Sequence, residues 1–319
     1  MAVATLPTCE VGSSLIAPLP PAPGLRPDDE AFVVDAARAG RSFAPDLIAA
    51  IAAFADDPGP SGALLLRGVP TGAVPATPAT PTAPTPKDLR SEQVLLAVAR
   101  LLGEPVGYLP EHGGSIVQNL VPTQADVGRQ TSTSSGVDLA FHTETAFHPH
   151  GPRYLLLLCL RSDPAAATTL ASIHDLLPGL RPETVELLRQ PLFRTAVDES
   201  FGGTPGVPFG PARPVLGGSP EQPWLCWDEE LTTGQTPDAT AALAELDAVV
   251  KQRRCEVVLA DGDLLIVDNA RCVHGRRPFE ARFDGTDRWL QRSFVVESLA
   301  PSAHDRVGRI ITTDFARAA

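Results

Sequence analysis

Asp261-Gly262-Asp263-Leu264-Leu265-Ile266-Val267-Asp268-Asn269 is a tight turn running into an apolar strand, and Arg271-Cys272-Val273-His274-Gly275 follows at once. A compact apolar run closed off by turn residues has the length of a buried strand, not of a helix. Similar runs recur at residues 62–70, 115–122, 153–160, 168–173, 255–260 and 288–296. Helical spacing is confined to residues 31–55 (broken near Gly40), 91–102 (an amphipathic helix closed by Gly103), 181–188 and 237–251. Many short strands punctuated by turns, with helices in the N-terminal half and in one insertion, predict a mainly β, α+β chain. Its core is expected to be a jelly roll, or double-stranded β-helix, with helical decoration.

The rest of the chain is organised around that core. Residues 1–29 are rich in Pro and Gly and are expected to form an irregular arm, and 70–87 carry a proline every few residues, which predicts an extended surface loop without a functional role. Residues 175–250 are taken as an insertion whose Gly/Pro-rich part, 201–223, is mobile and a candidate lid. A net charge of -12 over 319 residues argues against nucleic acid or an anionic membrane as partner. The five cysteines are scattered, with no CxxC pair, so neither a disulfide framework nor a structural zinc is expected. Met1 to Leu25 lacks the basic start and apolar core of a secretory signal, so none is expected, and no apolar run reaches the ~20 residues of a membrane span. A soluble cytoplasmic protein is the expectation.

The chemistry starts from His142-Thr143-Glu144. With 7 His and 38 acidic residues, chance alone supplies about one His-x-Asp/Glu, so the motif by itself means little. If the segment is extended, His142, Glu144 and Ala146 share a face and Phe141, Thr143 and Thr145 take the other. Together with His274, two imidazoles and a carboxylate make the facial ligand set of a non-heme Fe(II) oxygenase, with coordination positions left open. A polar strand end and a core histidine are the bland readings of the same residues. In residues 288–295, alternation puts Arg288, Leu290, Arg292 and Phe294 on one face. Guanidinium groups on such a face are costly unless anions meet them, whether carboxylates of ligands or of internal Asp and Glu.

As a set, these residues resemble the clavaminate synthase-like branch of the Fe(II)/2-oxoglutarate oxygenases. They are most similar to its free amino acid hydroxylases acting on arginine, lysine or asparagine in antibiotic pathways. The resemblance rests on Val117-Gln118 and Val121-Pro122, Gln130-Thr131-Ser132, the run from His142 to Phe147, and Leu158-Cys-Leu-Arg-Ser-Asp-Pro164. Val197-Asp-Glu-Ser-Phe201, Asp268-Asn269, Val273-His-Gly-Arg276 and Phe283-Asp-Gly-Thr-Asp-Arg288 complete it, over residues 110–300.

The resemblance implies one oxygenase domain over residues 1–319. It further implies Fe(II) held by His142, Glu144 and His274, with O2 and the cosubstrate 2-oxoglutarate. Arg288 would clamp the distal carboxylate, with Thr169 as second donor, and the coproducts would be succinate and CO2. Related halogenases lack the carboxylate of Glu144, so hydroxylation is expected. Arg292, helped by Ser132, would hold the α-carboxylate of an amino acid, and Gln118 and Glu144 its amino group. Asp228 and Glu230, two apart in Cys226-Trp-Asp-Glu-Glu-Leu231, would face a cationic side chain, unless they form a solvated turn. The expected substrate is thus a free basic L-amino acid, arginine or lysine, oxidised at its β or γ carbon. A carrier-tethered or different amino acid, or a non-catalytic jelly-roll binding module, are the competing readings.

Overall fold

The computed structural model describes residues 6–11, 24–203, 208–313 and 315. The Leu264–Asp268 strand lies near the middle of the larger sheet, antiparallel to Ala63–Arg67 on one side and to Tyr154–Arg161 on the other. Tyr154–Arg161 in turn pairs with Trp289–Val296, which carries Glu104–Tyr108 and Gln118–Leu120 beyond it. Both faces of this sheet are covered, so Tyr154–Arg161 and Leu264–Asp268 are apolar along most of their length, while the equally buried Trp289–Val296 carries Gln291, Arg292 and Ser293. Leu264 and Ile266 pack under the N-terminal helices with Leu156 and Leu158. Leu265 and Val267 point to the barrel interior with Leu155, Leu157, Leu290 and Phe294.

The smaller sheet runs Cys255–Val257, Thr168–Ser172, Cys272–Arg276, Leu139–His142. Together the two sheets form the expected jelly roll. Outside it, the insertion builds a third core around Trp227, Phe193, Leu246 and Val250. Its long helix, Pro237–Arg253, opens with Pro at the first turn and Thr236 accepting from the Ala239 amide, two devices that start helices cleanly.

Three expectations need correction. Within the presumed irregular arm, Thr8–Glu10 forms a parallel strand on the edge of Ala63–Arg67, whose unpaired backbone groups it satisfies. Residues 12–23 of the arm lie outside the described residues. The supposed mobile stretch 201–223 contains strands: Pro208–Arg213 pairs with Phe193–Ala196, and Leu216–Gly218 with Pro223–Leu225. Gly218 serves as a corner there: it has φ of 78°, and a Cβ would lie 2.1 Å from the Gln222 carbonyl oxygen. Residues 204–207 lie outside the described residues.

Third, the Arg90–Leu102 helix is amphipathic in sequence, as expected, but has no solvent-facing side along most of its length. It is buried on all sides from Ser91 to Ala99, between the sheet and the Glu30–Gly40 helix. Glu92 is therefore matched internally: it accepts from Gln291 at 2.9 Å and pairs with Lys87 at 2.8 Å. Among the described residues no helix is long and apolar enough to cross a membrane. Lys87→Met leaves the buried Glu92 carboxylate without its cation. Urea denaturation should then show a loss of about 3 kcal/mol; a loss near zero would mean that Gln291 alone suffices.

Candidate active site

His142 and His274 stand directly opposite each other on paired strands of the smaller sheet. Their rings lie 4.3 Å apart, at the mouth of the barrel. Glu144 reaches them by a different route from the one alternation suggests. The strand ends at His142, and the chain turns at Thr145 with φ of 52°. Asn269, one residue past the Leu264–Asp268 strand, fixes that turn. Its Oδ1 accepts from the Glu144 amide at 2.8 Å, and its Nδ2 donates to the Glu144 and Pro152 carbonyls at 3.1 and 3.0 Å.

The ligand atoms of His142, Glu144 and His274 all lie within 4.8 Å of one another. The His142 Nδ1–H is directed at the Ala140 carbonyl, 2.9 Å away, which leaves the Nε2 lone pair facing inward. Glu144 Oε2 is buried, 3.5 Å from His274 Nε2 and 3.9 Å from His142 Nε2, and makes no hydrogen bond among the described residues. Burial opposes its ionisation, but Arg292 and the two imidazoles outweigh this and hold its carboxyl at about 2. Burial, with His142 beside it, pushes His274 down to about 4, so it is a neutral imidazole at neutral pH. An ionised carboxylate with an orphaned oxygen, set beside two imidazoles, is a donor set that fits Fe(II).

The triad lines a cavity of about 780 Å³. At one end Arg288 and Arg276 line the wall, both buried. Arg288 has no ion-pair or hydrogen-bond partner for its guanidinium among the described residues, and burial pushes it down to about 10. Arg276, pushed to about 9 by burial and by Arg288, bonds only to neutral oxygens, Ser134 Oγ at 2.8 Å being the nearest. Two buried cations without a carboxylate define an anion site. Sequence reasoning missed Arg276 because its motif, His-Gly-Arg, draws attention to the histidine.

Thr168, not Thr169, lines this end. Thr168 pairs with Arg276 and shares the inner face with Leu170, whereas Thr169 alternates to the outer face with Ala171. A one-residue difference along a strand changes the face.

Arg292 lies on the same strand face as Arg288 but is satisfied internally. It pairs with Glu111, donates to Gln118 Oε1 from Nε at 3.0 Å, and sits 3.5 Å from Glu144 Oε1. Gln118 therefore braces Arg292 from behind and is not on the cavity wall, contrary to its expected place beside an amino group. Glu111, a cavity residue, was not anticipated; it lies in a turn outside any motif. Burial raises its carboxyl, against the pull of Arg292. Ser132 lines the cavity as expected.

Of the three consecutive acids, Asp228 and Glu230 line the cavity, and Glu229 does not. Glu229 turns away to Lys251, 2.7 Å distant, and accepts from the Phe141 amide. Asp228 is held beside His142 by a backbone bridge, and its Oδ1 caps the turn by accepting from the Glu230 and Leu231 amides. Of the described residues in 201–223, Phe201 alone reaches the cavity.

Residues 61–294 match the family described as taurine catabolism dioxygenase TauD, TfdA family. The chain is 41% identical to an L-asparagine oxygenase of Streptomyces coelicolor, over 87% of this chain and 84% of that one. It is 33% identical to an L-lysine 3-hydroxylase of Catenulispora acidiphila, over 89% of this chain and 81% of the other. In structure it resembles asparagine oxygenase in complex with Fe(II), (2S,3S)-3-hydroxyasparagine and succinate. The TM-score is 0.90 at 36% identity, covering 95% of this chain and 98% of that one. The geometry and these likenesses agree: the chain belongs to the TauD/TfdA family and is an Fe(II)- and 2-oxoglutarate-dependent dioxygenase of the amino acid hydroxylase kind.

Proposed function

We propose that the chain hydroxylates the β or γ carbon of a free basic L-amino acid, arginine or lysine. The observation that carries this reading is the pair Asp228 and Glu230 on the cavity wall, with Glu229 engaged elsewhere. Asp228 is half-buried and Glu230 stands exposed at the rim, so a cationic side-chain end meets a carboxylate at two depths. Fe(II) on His142, Glu144 and His274, with 2-oxoglutarate and O2, supplies the oxidation of an unactivated C–H, with succinate and CO2 as coproducts.

The chain's own residues bind and orient. Arg288 holds the distal carboxylate of 2-oxoglutarate, with Arg276 and Thr168 beside it on the wall. Arg292 takes the α-carboxylate with Ser132, and Glu111 and Glu144, both already within its reach, face the α-amino group. Relatives named for free amino acids, an L-asparagine oxygenase and an L-lysine 3-hydroxylase, favour a free amino acid over a thioester-tethered one. The five cysteines are unpaired, in keeping with a reducing cytoplasm. A second reading, asparagine as substrate, is favoured by the 41% identical asparagine oxygenase, since Asp228 alone could accept from a carboxamide.

A succinate-release screen of the free L-amino acids with Fe(II) and 2-oxoglutarate should give turnover with arginine or lysine. Asp228→Asn should lower kcat/KM for that substrate by about tenfold or more. Turnover with asparagine alone would move the site to the second reading, and silence with every amino acid would end both. Asn269→Ala frees the backbone of Glu144, and its Fe(II) affinity should fall about 10- to 100-fold in an anaerobic titration. Unchanged affinity would show that the turn holds without the amide.

A further inference from the structure

The proline-rich segment, expected to be a surface loop without a role, is tied to the residues around Arg288 that lead into the Trp289–Val296 strand. Thr77 is buried within it, and its hydroxyl donates to the Asp287 carbonyl at 2.6 Å. The Thr77 amide donates to the Gly285 carbonyl at 2.8 Å. Arg161 closes the clasp, donating to Thr77 Oγ1, to the Gly285 carbonyl at 3.1 Å and to the Pro75 carbonyl at 2.9 Å. Further along, the Pro81 carbonyl accepts from Asn119 Nδ2 at 3.2 Å, and Asn119 Oδ1 accepts from Trp289 Nε1 at 2.9 Å. The segment thus grips the residues on both sides of Arg288, directly at Asp287 and through Asn119 at Trp289.

Arg288 has no side-chain partner among the described residues that could set its position, so its aim depends on its backbone and packing. We propose that the proline-rich segment is a brace for the cosubstrate end of the site, with Thr77 and Arg161 as positioning residues for Arg288. The prolines suit a brace, because they hold the segment extended without regular pairing, so its few polar groups can reach across to the neighbouring strand ends. The inference rests on the reading that Arg288 binds the distal carboxylate of 2-oxoglutarate.

The test compares 2-oxoglutarate with pyruvate, a 2-oxo acid that lacks the distal carboxylate. Both are titrated calorimetrically, without oxygen, into the full-length Fe(II)-loaded protein. Arg288→Met should abolish the preference for 2-oxoglutarate. Thr77→Val should shrink it about fivefold to tenfold by weakening 2-oxoglutarate alone, while Thr77→Ser, which keeps the hydroxyl, stays within about twofold of wild type. Arg161→Lys, which loses the fork, should act like Thr77→Val and serves if that variant does not fold. A preserved preference in a folded Thr77→Val or Arg161→Lys protein would overturn the brace. Equal weakening of both ligands would overturn it too, since that is general loosening. A preference that survives Arg288→Met would instead sink the reading of Arg288, and the brace with it.

Discussion

The register that sets His142 against His274 is the constraint on which the site depends. Two strands far apart in sequence must pair so that two imidazoles face one point, and a slip of one residue would send one of them to the outer face. The fold secures this at both ends. Cys272–Arg276 is locked between Thr168–Ser172 and Leu139–His142, while the backbone of Trp227 and Glu229 pairs with Thr143 and Phe141 along the other edge. The carboxylate need not share that register, because Asn269 delivers it by a separate turn. The cost is visible at Thr145, a β-branched residue held at φ of 52°, a conformation worth about 1–2 kcal/mol of strain. Strain of that kind persists only where surrounding bonds over-determine it, and three of them come from one asparagine side chain.

Much of this is legible in the sequence, and the reasons differ by residue. Apolar runs between turn residues locate the central strands, because a strand covered on both faces is mostly apolar, its polar residues being ones with a partner or a ligand to meet. Alternation places Arg288 and Arg292 on one face with Leu290 and Phe294, which share the barrel interior in the structure. It fails where the backbone departs from a strand. His142 and Glu144 converge, yet through a turn, and Thr168 stands where Thr169 is expected because composition cannot fix the parity of a five-residue strand. Glu111 carries no signal at all, since its role comes from Arg292, 181 residues later. The triple acid is ambiguous until Lys251, from the insertion helix, claims the middle one.

The low-complexity segment shows the limit most clearly. Periodicity finds elements that bury a face, and a segment without periodicity is easily taken for one without a role. Thr77 buries only its own side chain and works through main-chain carbonyls of its neighbours. Such contacts depend on path, not on pattern, so no composition rule singles it out among the other threonines of the same segment. The same holds for Asn269, whose importance lies in the turn it stabilises and not in any group it offers to a ligand.

Arg288 and Arg292 bring these arguments together. They share a face and nearly complete burial, and alternation treats them alike. Their surroundings differ in kind. Arg292 is neutralised by Glu111 and lies near Glu144, so an incoming carboxylate must share a cation that the protein already satisfies. Arg288 has Arg276 for charged company on the wall and makes no ion pair among the described residues. An incoming carboxylate there relieves a buried cation that nothing else pairs, and gains more for the same contact. The unpaired end therefore suits a ligand common to every turnover, and the paired end one that must be chosen among amino acids. Selectivity is easier to build where binding has to displace something, because a wrong ligand then fails to replace the bonds it breaks.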